Sequence, residues 1–103
     1  MRTTWWAPDG IFDVEVHATL RRLEMRQQIS SEQCRAARLR LGQLRLRRRR
    51  VVDLADLAWS MRASITFSDA CYVALAQALA CALLTTDMKL VRAPGLPVPT
   101  IHP

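Results

Sequence analysis

From Ala70 to Leu84 the chain is hydrophobic at every position except Gln77, and this run constrains the fold more than any other feature. It falls short of the roughly 20 residues that a membrane span requires. It reads instead as a helix over Ala70–Ala80 followed by a buried strand over Ala82–Thr85. A helix with almost no polar face must be central, because water would meet apolar surface wherever it was exposed. The rest of the chain therefore has to wrap around it. With 103 residues, half of them hydrophobic, there is material for one domain with a modest core. No repeat, low-complexity tract or Gly/Ser linker divides it, so residues 1–103 are expected to form a single unit.

The other elements read mostly as helices. Trp5-Trp6-Ala7 is a short apolar lead, and Pro8-Asp9 marks a helix start with Asp9 as cap, followed by Ile11, Phe12, Val16, Leu20 and Leu23 to about Gln27. Ser30 and Gln33 have capping-box spacing and open a second helix, whose stripe is Cys34, Ala37, Leu41 and Leu44. Arg47–Arg50 then leads into Val51-Val52, a candidate strand, before a third helix marked by Leu54, Leu57, Ala58 and Met61. Thr66 and Asp69 repeat the capping pattern ahead of the central helix. One more helical turn is expected over Met88–Arg92. The Pro-punctuated segment Val98–Ile101 fits only an edge strand, since Pro cannot donate to a ladder. Trp59, Tyr72, Cys71 and Cys81 read as core side chains.

The chain carries 15 Lys+Arg against 9 Asp+Glu, a net charge of +6, and all but one of the basic residues are Arg. That balance favours polyanions, because the guanidinium forks bidentately onto phosphate or carboxylate. Arg47–Arg50 reads as a solvated turn or as a phosphate grip. Three cysteines without C-x-x-C spacing suit a reduced, cytosolic protein, and the first residues lack the apolar core of a signal peptide. His17 and His102 carry no expected role.

Three carboxylates stand out by position. On a helical wheel Glu15 falls within the apolar arc of the first helix, where an unpaired charge is costly; the ordinary account is a pair with Arg22 at the helix edge. Asp69 sits in the first turn of the central helix, where it also suits the helix dipole. Asp87 follows the apolar run, at what would be the carboxyl end of a parallel strand, where open α/β sheets place their ligands; it equally suits a turn.

Taken in order, Val14-Glu15-Val16, Leu20-Arg21-Arg22, Ala58-Trp59-Ser60-Met61-Arg62, Asp69-Ala70-Cys71-Tyr72-Val73-Ala74-Leu75-Ala76 and Leu84-Thr85-Thr86-Asp87-Met88-Lys89-Leu90 resemble PIN-domain toxins of VapC type, endoribonucleases of type II toxin–antitoxin pairs. The resemblance covers nearly the whole chain. It implies a parallel sheet flanked by helices, with Glu15, Asp69 and Asp87 gathered to hold Mg²⁺ or Mn²⁺, since hard divalent ions take carboxylate oxygens. It implies RNA as substrate, a VapB-type antitoxin as partner, room for a homodimer, and no membrane association.

The sequence departs from the family at its start. The family's first strand and the Asp that ends it have no counterpart, a difference of roughly one strand-and-helix unit of about 30 residues. The expected fold is therefore a truncated, mostly helical α/β unit, weakly folded, oligomeric or partner-dependent, with weakened metal affinity. Two other functions compete: a catalytically inactive remnant that binds antitoxin or nucleic acid, and a small basic nucleic-acid binder, which leaves Glu15 unexplained.

Overall fold

The computed structural model describes residues 5–84, residue 92 and residues 95–101. The order is β1 (Trp5–Pro8), α1 (Ile11–Met25), α2 (Ser31–Gln43), β2 (Leu46–Arg49), α3 (Val51–Trp59), α4 (Phe67–Ala78), β3 (Leu83–Leu84) and β4 (Thr100–Ile101). β1 pairs with β2 in parallel, Trp6 opposite Arg47 and Ala7 opposite Arg48, and α1 and α2 form the crossover that parallel pairing demands. β3 pairs with β4, also in parallel, in a separate two-stranded sheet. The described residues thus form an α/β unit of short parallel strands flanked by four helices, as expected of a partial PIN-like fold.

The central helix is where the apolar run places it. Ala70, Cys71, Val73, Ala74, Leu75 and Ala76 of α4 are all buried. Its two faces serve two clusters: Ala70, Cys71, Ala74 and Leu75 pack with Leu54 and Ala58 of α3, while Val73 and Ala76 pack with Leu83 and Val98. Small residues on α4 let α3 approach closely, and the crowding leaves Ala58, Ala70 and Ala74 with no exposed surface. Thr66 caps α4 by accepting the Asp69 backbone N–H at 3.2 Å. Only this half of the expected box is made. Replacing a hydroxyl cap by alanine costs about 1 kcal/mol. Thr66→Ala is therefore expected to lower stability by about that amount in urea titration, with an unchanged slope.

The box at α2 is complete. The Ser30 hydroxyl accepts the Gln33 N–H at 3.1 Å, and the Ser30 N–H donates to Gln33 Oε1 at 2.8 Å.

Several expectations are corrected. Asp9 does not cap α1: Gly10 occupies the N-cap at φ 85°, a left-handed conformation open to glycine, and the Asp9 N–H instead donates to the Arg49 carbonyl at 2.8 Å, extending the β1–β2 pairing. The strand assigned to Val51-Val52 lies earlier, over Leu46–Arg49, and Val51 begins α3. Trp5–Pro8, read as a lead-in, is the strand that pairs with it. Trp59 is 59% exposed rather than in the core, standing edge-on to Phe67 under the Arg62 guanidinium. Cys81 is exposed as well, and all three cysteines are free. The turn expected over Met88–Arg92 lies, apart from Arg92, outside the described residues, as does His102. Among the described residues β4 pairs on one edge, with the Pro99 carbonyl accepting the Leu83 N–H at 2.9 Å, as an edge strand does.

Candidate active site

Asp13 and Glu15 lie on α1 and Asp69 in the first turn of α4. Burial, and then the negative charge of Asp69, push the Glu15 carboxyl above its usual range. The Glu15 charge also acts on Cys71 and Tyr72 of α4. The Tyr72 phenol, half-buried beside this group, is pushed up to about 12, chiefly by burial and then by Glu15, Asp13 and Asp69. It therefore stays protonated at neutral pH.

Two of the three acids singled out in the sequence, Glu15 and Asp69, are thus close enough to repel each other although they are remote in the chain. The third, Asp87, lies outside the described residues. The Glu15–Arg22 pair is not formed: among the described residues the ion pairs are Arg48–Asp13 and Arg35–Glu32. Two like charges left facing each other are unfavourable without a counter-charge. The same described residues contain no group of three His, Cys, Asp or Glu side chains able to hold a metal ion.

Asp13 was not legible as part of this region, because its partner is remote in sequence. It accepts from both terminal nitrogens of Arg48, Nη2 to Oδ1 at 2.9 Å, tying α1 to β2. The flanking cations stack: Arg47 and Arg49 lie 5.8 and 5.6 Å from the Trp6 ring centroid. The Arg run is therefore not a turn over Arg47–Arg49. It is a strand with alternating partners.

Asp13 and Glu15 give stability opposite pH dependences. Hydrogen bonding to Arg48 holds the Asp13 carboxyl below its usual range, so its contribution is present above the unfolded carboxylate range and is lost as pH falls through the lowered folded value. Glu15, raised, is unfavourable when charged, and that penalty disappears as pH falls through its folded value. Urea midpoints across the acid range are expected to show Asp13→Asn less stable than the parent at neutral pH and converging on it in acid. Glu15→Gln is expected to be at least as stable as the parent at neutral pH, with its advantage fading in acid.

Among the described residues no helix is long and apolar enough to cross a membrane. No protein-family model and no solved structure matches the chain. Curated proteins do. Ribonuclease VapC1 of Mycobacterium tuberculosis is 46% identical over 88 residues, which cover 84% of this chain and 66% of the relative. VapC ribonuclease Mb0985 of Mycobacterium bovis is 40% identical over 80 residues, 78% of this chain and 63% of the relative. Ribonuclease VapC3 of Mycobacterium tuberculosis is 37% identical over 92 residues, 89% of this chain and 66% of the relative. The chain spans about two thirds of the length of the relatives it matches. Identity at this level, sustained over most of the chain and joined to a framework of short parallel strands and helices, places it: the chain belongs to the VapC family.

Proposed function

We propose that residues 1–103 form a partial PIN-like domain that belongs to a divalent-metal-dependent endoribonuclease, the toxin of a VapBC pair. The observation that carries this reading is the 46% identity with Ribonuclease VapC1 over 84% of this chain; the charge of Asp69 acting on Glu15 supports it. Carboxylate oxygens suit Mg²⁺ or Mn²⁺, and Glu15 and Asp69, with Asp87, would hold the ion. When bound, it supplies charge neutralisation at an RNA phosphate. The chain's own residues do the rest: Glu15 and Asp69 offer two carboxylates of like charge that a cation would neutralise, and Tyr72, kept neutral, adds no charge beside them. The net charge of +6 draws the RNA backbone towards the molecule. A VapB-type antitoxin is the proposed protein partner, a homodimer the proposed assembly, and a reducing cytoplasm suits the three free thiols.

A second reading, a module that binds antitoxin or nucleic acid without cleaving it, is favoured by one observation: the net charge of +6, which attracts polyanions whether or not they are cut. Incubation with single-stranded RNA separates the two. Cleavage that needs Mg²⁺ or Mn²⁺, stops with chelator and is lost in Asp87→Ala supports the nuclease. RNA retention without cleavage at any metal concentration supports the binding module.

A further inference from the structure

Phenylalanine and tryptophan are largely buried in folded chains, and neighbouring ones left open to water mark a contact surface. Trp59 closes α3 at 59% exposure and Phe67 opens α4 at 39%, with ring centroids 6.5 Å apart and planes at 61°. The Arg62 guanidinium lies 5.1 Å from the centroid of the Trp59 ring and donates through Nη1 to the Trp59 carbonyl at 3.1 Å. That bond holds the cation over the ring, and among the described residues Arg62 forms no ion pair. The connection beneath these side chains is pinned. Met61 and Ile65 pack against both core clusters, and the Ser64 and Ile65 N–H groups donate to the Met61 carbonyl at 3.0 and 3.2 Å. Trp59, Arg62 and Phe67 are thus carried on a fixed turn, so stacking a ligand on them orders little that was free. Asp69 lies two residues beyond Phe67, a Cα separation of roughly 5–6 Å in helix geometry. Positions two apart do not share a helix face, so the aromatic pair flanks the acids instead of lining their pocket.

We propose that Trp59, Arg62 and Phe67 form a stacking platform for an unpaired base of single-stranded RNA, next to the phosphate that meets the acids. The inference rests on the nuclease reading for where the base lies on the substrate. Aromatic and guanidinium planes stack on any base, because every base has a π-face, and a duplex hides those faces. The remaining Arg62 donors suit the phosphate adjoining the stacked base. Exposed rings alone would equally suit an apolar protein partner. The cation set on them, on a chain of net charge +6, favours a polyanion. Such a platform distinguishes unpaired from paired RNA more strongly than one base from another.

The test uses the full 103-residue chain with chelator present, so that binding is read without cleavage, and hexa-adenylate RNA as probe. The probe should quench tryptophan emission saturably. Trp59→Leu should remove most of that quench and weaken binding roughly 5- to 150-fold, the loss expected for one stacked base. Trp59→Phe, which keeps a ring, should bind closer to the parent, and Phe67→Leu should weaken binding several-fold. Arg62→Gln should flatten the slope of log affinity against log salt by about 0.7, one phosphate contact on a single strand. All three positions are exposed, so these variants should stay folded. A hexamer of the same phosphates without bases, and duplex RNA, should bind the parent and Trp59→Leu alike. The proposal is overturned if the parent binds hexa-adenylate no better than the abasic hexamer, or if Trp59→Leu binds it as the parent does. It is overturned as well by an RNA-free dimer in which Trp59 emission is already shielded, since a second copy then covers the rings. Adding Mg²⁺ at subsaturating RNA separates this inference from the nuclease reading. Cleavage by Trp59→Leu at the parent's rate keeps the nuclease and removes the platform, whereas Trp59-dependent binding without cleavage by the parent keeps the platform and removes the nuclease.

Discussion

Leu54→Ala is expected to cost about 2–5 kcal/mol, the range for removing a buried leucine from a packed core. Leu54 is 2% exposed and sits where α3 meets α4, against Ala58, Ala70, Cys71, Ala74 and Leu75. Most of those neighbours are small side chains with no reach to fill a void, so the upper part of the range applies. Total stability of a small domain is about 5–15 kcal/mol, and this loss is a large share of it. Urea unfolding followed by circular dichroism should show the midpoint collapse. A loss under about 1 kcal/mol would mean that α3 and α4 are not the unit on which the rest depends. Leu57→Ala, in the same helix but 36% exposed, provides the comparison and should cost much less.

That unit was also the most legible part of the chain. The run Ala70–Ala80 has almost no polar face, so a central place for its helix followed from composition alone, and the capping box at Ser30 and the hydroxyl cap at Thr66 open their helices through contacts three residues apart. What depends on remote partners was not legible. Four consecutive arginines read as a solvated turn because like charges repel, yet Arg47 and Arg49 are accommodated on Trp6 and Arg48 on Asp13, and Trp6 and Asp13 both lie far upstream. Val51 and Val52 carry β-branched side chains but lie in α3, where Val51 packs against the Leu54–Ala58 cluster. Tertiary packing overrode local preference there. Trp59 shows the reverse: its helical spacing suggested the core, but it falls at the last residue of α3, where the helix ends before it can be covered. For the acids, the wheel placed Glu15 in the apolar arc of its helix, yet Glu15 is exposed, and the charge of Asp69 that acts on it comes from a helix far downstream that no local pattern identifies.

Glu15→Gln and Asp69→Asn are expected to reduce metal-dependent RNA cleavage by on the order of 100-fold or more, as loss of a ligand should exceed the 10–100-fold penalty for altering an outer-shell partner. The same variants separate a metal site from a helix cap without any activity measurement. The cap of α4 is the Thr66 hydroxyl accepting the Asp69 backbone N–H, which Asp69→Asn leaves in place. In metal-free buffer at neutral pH the substitution removes a charge facing Glu15, so the melting temperature should hold or rise. Millimolar Mg²⁺ should raise the melting temperature of the parent, because an ion bound only by the folded state stabilises it by mass action, and should leave both variants unmoved. If Asp69→Asn instead costs about 1 kcal/mol or more without metal and keeps the full Mg²⁺ response, the carboxylate serves the helix dipole, and Glu15 has no cation to share with it.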